Sequence, residues 1–179
     1  MISTDMRIPS GADVSFDEKP CEEWMYPYVG GAFDFSRGLR FTPVKSQSSK
    51  IGYYINSEII FTSTKKVGIG VIDQFCEEYG VRTNFKVKEK AKGDTYELAI
   101  AKRKDIEEFL SVIHPFVVDD AEQVQIALEH ILPGLERGDH QEKQSFVNLM
   151  YYIEKFRENE VPRRKVKYTR DYFVDEWDM

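Results

Sequence analysis

The chain has 179 residues, 41% hydrophobic and 13% aromatic, enough for one domain with a real core and too apolar for a disordered chain. Its net charge of −6 argues mildly against general nucleic-acid binding, and its two cysteines, Cys21 and Cys76, exclude a disulfide framework or a Cys/His metal motif. With no basic-then-apolar leader and no apolar run of membrane-spanning length, a cytoplasmic, intracellular protein without membrane contact is expected.

The charge is polarised. Residues 81–92 hold five basic residues against Glu89, net +4, and residues 163–170 hold five with no acid, net +5. Together these contribute +9, so the rest of the chain carries −15.

Taken in chain order, residues 1–19 are polar and aperiodic and read as a flexible lead-in to a domain over 20–160. Trp24, Met25, Tyr28, Val29 and Ala32 stand at helical spacing, with Pro27 in the first turn. Two strands follow, 38–47 and 51–62, and Pro43 marks the first as an edge or bulged strand. Ser63 or Thr64 is expected to cap a helix over 65–79, with Val67, Val71, Ile72, Phe75 and Tyr79 on one face and Gly80 closing it.

Residues 81–92, VRTNFKVKEKAK, alternate two chemistries at strand period. Arg82, Asn84, Lys86, Lys88, Lys90 and Lys92 share one face, while Val81, Thr83, Phe85 and Val87 form an apolar face expected to be buried. A row of cations on a flat sheet suits a phosphate backbone; the same pattern also suits a solvated edge strand whose lysines discourage pairing. A turn at Lys92-Gly93-Asp94 leads into the partner strand 95–102.

Ile106, Phe109, Leu110 and Ile113 predict a helix stopped by Pro115, and Val124, Ala127, Leu128 and Ile131 another ended by Pro133-Gly134. Phe146, Leu149, Met150, Ile153 and Phe156 predict the last long helix. Residues 161–179 read as a tail, basic then acidic and aromatic, whose acidic end folds back over the basic segment or the basic sheet. The order α-ββ-α-ββ-α-α-α implies an α+β fold, with one antiparallel sheet covered by helices on a single side.

At residues 28–38, YVGGAFDFSRG, the chain resembles the LAGLIDADG homing endonucleases. Val29-Gly30-Gly31-Ala32-Phe33-Asp34 occupies the L-A-G-L-I-D portion of their helix-forming motif. IDQFCEEYGVRTNFKV is similar to the second helix and third strand, and TYELAIAKRKDIEEFLSVIHPF to the fourth strand and the helix ending in Pro-Phe. The similarity spans roughly residues 22–157 in element order. It implies an αββαββ fold with additional C-terminal helices.

One motif copy implies a homodimer whose central helices meet through Tyr28, Val29, Gly30, Gly31, Phe33 and Asp34, acting on a pseudo-palindromic double-stranded DNA site. The glycines also fit close packing inside a single chain.

The resemblance places the sheet along the major groove. Candidate contacts are then Arg37, Arg40 and Lys45 on the first hairpin and Arg82, Asn84, Lys86, Lys88 and Lys90 on the third strand. Lys65, Lys66, Arg103 and Lys104 would flank the groove.

The catalytic part departs from the family pattern. Ser36 stands where the family carries its metal-binding acid, and Arg37 follows in place of glycine. Gly68 and Asp119 or Asp120 replace two supporting basic positions. Asp34 is the one remaining acid that could serve as catalytic residue or metal ligand.

No cofactor is expected, or Mg²⁺ if nuclease activity is retained. The expected function is sequence-selective DNA binding with weak or lost cleavage. The alternatives are an active Mg²⁺-dependent endonuclease, an RNA-binding intron maturase, or a protein-interaction domain, and a DNA binder would be nucleoid-associated.

Overall fold

A computed structural model describes residues 22–36, 38–89, 91, 93–158 and 166–179. The lead-in over 1–19, Arg37, Lys90, Lys92 and the start of the basic arm at 163–165 lie outside the described residues.

Seven α-helices and four strands are formed by the described residues: α1 Met25–Ser36, β1 Leu39–Lys45, β2 Tyr53–Ser63, α2 Lys66–Glu78, β3 Asn84–Lys88, β4 Thr95–Ile100, α3 Arg103–Ile113, α4 Ala121–Ile126, α5 Leu132–Arg137, α6 Lys143–Arg157 and α7 Arg170–Glu176. The strands make one antiparallel sheet in the order β1-β2-β4-β3, with Pro43 on an edge strand where its missing N–H costs least. No described helix is long and apolar enough to cross a membrane.

Strand alternation decides the layers. On β2, Tyr53, Ile55, Ser57, Ile59 and Phe61 are buried, and the residues between them are exposed or half-buried. Leu39, Phe41 and Pro43 of β1, and Leu98 and Ile100 of β4, join the same buried face in register. Helices α1, α2 and α3 cover that face. Phe109 of α3 is the hub, its ring 5.8 Å from Phe61, 6.2 Å from Phe75 and 6.3 Å from Phe33. One aromatic cluster thus locks three helices onto the central strand.

Local chemistry sets several boundaries. Gly80 has a positive φ and ends α2, while the Val81 N–H returns to the Cys76 carbonyl at 2.8 Å. Gly93, also at positive φ, permits the β3–β4 turn. Ser63 and Thr64 do not cap α2. Ser63 still belongs to β2, its hydroxyl accepts the Lys65 N–H at 2.9 Å, and Lys65 takes the cap position without a side-chain bond. The buried face of α2 uses Ile69 and Cys76 with Val71, Ile72 and Phe75, leaving Val67 about half exposed.

Pro133-Gly134 does not end a helix. A π-helical turn at Ala127–Ile131 precedes Pro133, which enters α5 at its start, and the helical run continues to Arg137. The wider turn keeps the ring clear of the carbonyl it would meet in a regular α-helix.

The acidic C-terminal segment is part of the core and does not screen the cationic sheet. Phe173 of α7 is fully buried, 4.8 Å from the Phe146 ring of α6 and 5.0 Å from that of Tyr53. Tyr168 and Trp177 complete this cluster around Tyr53, on the helix-covered side of the sheet. Burial raises the Tyr53 phenol above its ordinary pKa, and the hydrogen bond with Tyr172 adds to the shift. The Arg157 guanidinium of α6 donates to the Phe41 carbonyl, tying the same helix to β1.

Phe173→Ala should cost about 3–5 kcal/mol of unfolding free energy, because it empties the joint between α6, α7 and β2. Gly38→Ala should cost about 1–3 kcal/mol, since its Cβ would stand 2.1 Å from the Ile60 carbonyl oxygen. Equilibrium denaturation in urea measures both.

Candidate nucleic-acid interface

Among the described residues no helix covers the second face of the sheet. Along edge strand β1 it presents Arg40, Thr42 and Val44; along the other edge, β3, it presents Asn84, Lys86 and Lys88. Between them β2 contributes Tyr54, Asn56, Glu58, Ile60 and Thr62, and β4 contributes Glu97 and Ala99. Thr95, opposite Lys88, is the one buried residue of this face on β3 and β4. The described cations therefore occupy the two edges, and both carboxylates lie on the central strands. Lys88 is held by Glu97, while the side chains of Arg40, Glu58, Asn84 and Lys86 have no hydrogen-bond or ion-pair partner among the described residues.

Two expected contacts, Arg82 and Lys45, and one expected flanking residue, Arg103, lie elsewhere. Arg82 precedes β3 and turns to Asp105 in the first turn of α3, donating through Nε at 2.9 Å and Nη2 at 3.0 Å. Asp105 is almost fully buried, and a buried carboxylate needs such a partner; this hydrogen bond holds the guanidinium above its ordinary pKa. Lys45 has the same alternation as Leu39 and Phe41, so it projects on the helix side, exposed at the strand end. Arg103 is half-buried and donates to the Leu135 carbonyl at 3.0 Å, and burial lowers its pKa.

Lys65, Lys66 and Lys104 are exposed at the heads of α2 and α3. The apolar face of the basic strand is not buried either: Phe85 and Val87 remain 40% and 47% exposed, because β3 lies at the sheet edge. Phe85 instead stacks on Tyr96, with ring centroids 6.2 Å apart.

Helix α1 separates its residues just as sharply. Val29 and Phe33, expected at a subunit contact, are buried in the chain's own core. Gly30 packs under Phe116, whose carbonyl oxygen lies 2.4 Å from where a Cβ would stand. Gly31 has open space above it. With Trp24, Tyr28 and Phe35 it forms an outward stripe at helical spacing, Phe35 being 89% exposed and Val118 alongside 79% exposed. The Tyr28 hydroxyl lies 3.0 Å from the position of a Gly68 Cβ, so the two helices meet there through a missing side chain.

At the end of α1 the side-chain oxygens of Asp34 and Ser36 are engaged by backbone groups. Both Asp34 carboxylate oxygens accept backbone N–H groups, from Val118 at 2.9 Å and Asp120 at 3.1 Å. The Ser36 hydroxyl donates to the Phe33 carbonyl at 2.9 Å and accepts the Gly38 N–H at 3.2 Å. Among the described residues no group of three or more His, Cys, Asp or Glu side chains could hold a metal ion. Mg²⁺ is ordinarily held by one or two carboxylates together with water and substrate phosphate, and here both oxygens of the Asp34 carboxylate already take backbone N–H groups.

The histidines are separate. His130 stacks on Tyr152 with centroids 4.2 Å apart, and burial, then Arg103, lowers the pKa of His140.

No family model and no curated protein matches the sequence. Solved structures do match in fold. The group I intron-encoded homing endonuclease I-CeuI complexed with DNA superposes with a TM-score of 0.71 at 17% identity, covering 89% of this chain and 78% of that one. The homing endonuclease I-CvuI in complex with its target gives 0.66 at 11% identity, covering 85% and 91%. The homing endonuclease I-TnaI gives 0.62 at 20% identity, covering 89% and 98%.

Asp34→Ala should lower stability by roughly 1–3 kcal/mol, because two backbone N–H groups lose a charged acceptor. Added Mg²⁺ should leave the melting temperature of the unaltered chain unchanged. A Mg²⁺-dependent rise abolished by Asp34→Ala would place a metal there. A helix bearing Asp34, an open antiparallel sheet and helices on its other side together give this chain the fold of the LAGLIDADG homing endonucleases.

Proposed function

We propose that the protein binds double-stranded DNA sequence-selectively as a homodimer, with weak or no cleavage. The observation that carries this reading is the open sheet face with cations along both edges. Three inter-strand steps of about 4.8 Å put β1 and β3 about 14 Å apart, close to the major-groove width of about 12 Å. Arg40 on one edge and Lys86 and Lys88 on the other then face the two phosphate walls, with the central strands over the base edges. Two of the similar structures are homing endonucleases bound to DNA, one with its target, which supports the same reading.

The dimer follows from α1. Trp24, Tyr28, Gly31, Phe35 and Val118 make an exposed apolar surface on the helix end of the domain, and open space over Gly31 lets a second helix approach closely. A two-fold contact there doubles the sheet and matches a pseudo-palindromic site.

Weak cleavage follows from the chemistry at the end of that helix. Ser36 supplies a hydroxyl already engaged by backbone, and the Asp34 carboxylate already anchors residues 118–120. The hydroxyl brings no anionic oxygen to a divalent metal, and the carboxylate would give up its backbone bonds to reach one.

Selection of bound duplexes from genomic fragments, followed by incubation of the enriched site with Mg²⁺, tests the proposal. Enrichment with the duplex left intact is expected; efficient double-strand breaks would refute the catalytic half. Log affinity should fall linearly with log salt, and Lys86→Ala should reduce the slope by about 1. Phe35→Glu should convert a sedimenting dimer to monomer while the circular dichroism spectrum stays unchanged, because Phe35 makes little contact within the chain.

A further inference from the structure

The charges on the open face are sorted by lane. The described cations Arg40, Lys86 and Lys88 lie on edge strands, and the carboxylates Glu58 and Glu97 lie on the two central strands. For a surface meant only to neutralise phosphate, acids in the middle are a liability. In the groove geometry above they lie farthest from phosphate and nearest the base edges.

The two acids differ. Glu97 is only 15% exposed at its side chain and holds Lys88, so its charge is already answered. Glu58 stands opposite Arg40 in register but is not bonded to it, and its carboxylate has no partner among the described residues.

An ionised carboxylate only accepts hydrogen bonds. In the major groove, guanine shows two acceptors and thymine an acceptor beside a methyl group, so both repel or fail to satisfy it. Adenine offers an amino group beside the acceptor N7. Cytosine offers its N4 amino group without an adjacent acceptor of its own.

We infer that Glu58 is a specificity-determining residue that reads the N4 amino group of a cytosine in the major groove, once in each half of a two-fold site. The inference rests on the duplex-binding reading and adds the base that is read. Asn56 and Ile60 flank Glu58 on the same strand face, and the edge cations fix its register against the phosphates. Glu58 simultaneously discourages purely electrostatic binding, because it opposes any arrangement that brings phosphate over the sheet centre.

The test compares duplexes selected from a randomised library by the full chain and by its Glu58→Gln and Glu58→Ala variants. The unaltered chain should select one cytosine per half-site. Glutamine can donate as well as accept and pairs bidentately with adenine, so Glu58→Gln should change that position to adenine. Its affinity for the original site should drop about tenfold, the effect of one lost base contact. Glu58→Ala should lose the cytosine without acquiring a replacement.

Equal melting temperatures are expected for the three proteins, because the Glu58 side chain has no hydrogen-bond or ion-pair partner among the described residues. The same base preferred at every position by all three proteins would overturn the inference while leaving duplex binding intact. Failure of the unaltered chain to enrich any duplex would instead remove the duplex-binding reading, and this one with it.

Discussion

The strict alternation of β2 is the constraint on which the rest of the structure depends. Tyr53, Ile55, Ser57, Ile59 and Phe61 are committed to the core, so Tyr54, Asn56, Glu58, Ile60 and Thr62 are committed to the other side. Slipping this strand by one residue would exchange the two sets, placing a carboxylate under the helices. Register is therefore held by burial, and the aromatic hub at Phe109 makes the burial worth keeping. The surface proposed to bind duplex is the complement of the core.

Helix α1 shows how one short motif serves two surfaces at once. Met25, Val29 and Phe33 face inward, and Gly30 lets the carbonyl of Phe116 come close. The outward stripe through Gly31 touches α2 at Tyr28 and is otherwise exposed among the described residues. At its end, Asp34 and Ser36 use their oxygens to hold backbone, the carboxylate on the loop after Phe116 and the hydroxyl across the turn into β1. A carboxylate that anchors a loop is fixed by the amides it accepts from, and moving it to a metal would leave those amides bare.

Much of this was legible in the residues. Alternation at 84–88 placed Asn84, Lys86 and Lys88 on one face, and the spacing of Ile106, Phe109, Leu110 and Ile113 placed α3; both agree with the structure. What was not legible depended on tertiary partners. Nothing local to Arg82 says that Asp105, 23 residues later, needs a counter-charge. Lys45 lost its place through strand parity at a fraying end, where one residue decides the face.

Phe85 and Val87 stayed exposed because edge position is a property of sheet order, which the strand itself does not encode. Pro133 did not break its helix because a π turn upstream absorbed it. Glu58 lacks the positive charge that marks the other candidates, and its signal is an acid at an outward-facing β2 position.

The aromatic joint around Tyr53 has a consequence for how the molecule is made. Tyr53 opens β2, and its hydroxyl meets that of Tyr172 at 3.0 Å across 119 positions of sequence. A contact so distant along the chain closes a long loop, and topologies rich in such contacts fold slowly. During vectorial synthesis the strand that carries Asn56 and Glu58 is complete long before residues 168–177 exist to brace it. The nascent sheet thus waits, with its first-made half unsupported at Tyr53, for the segment that finishes it.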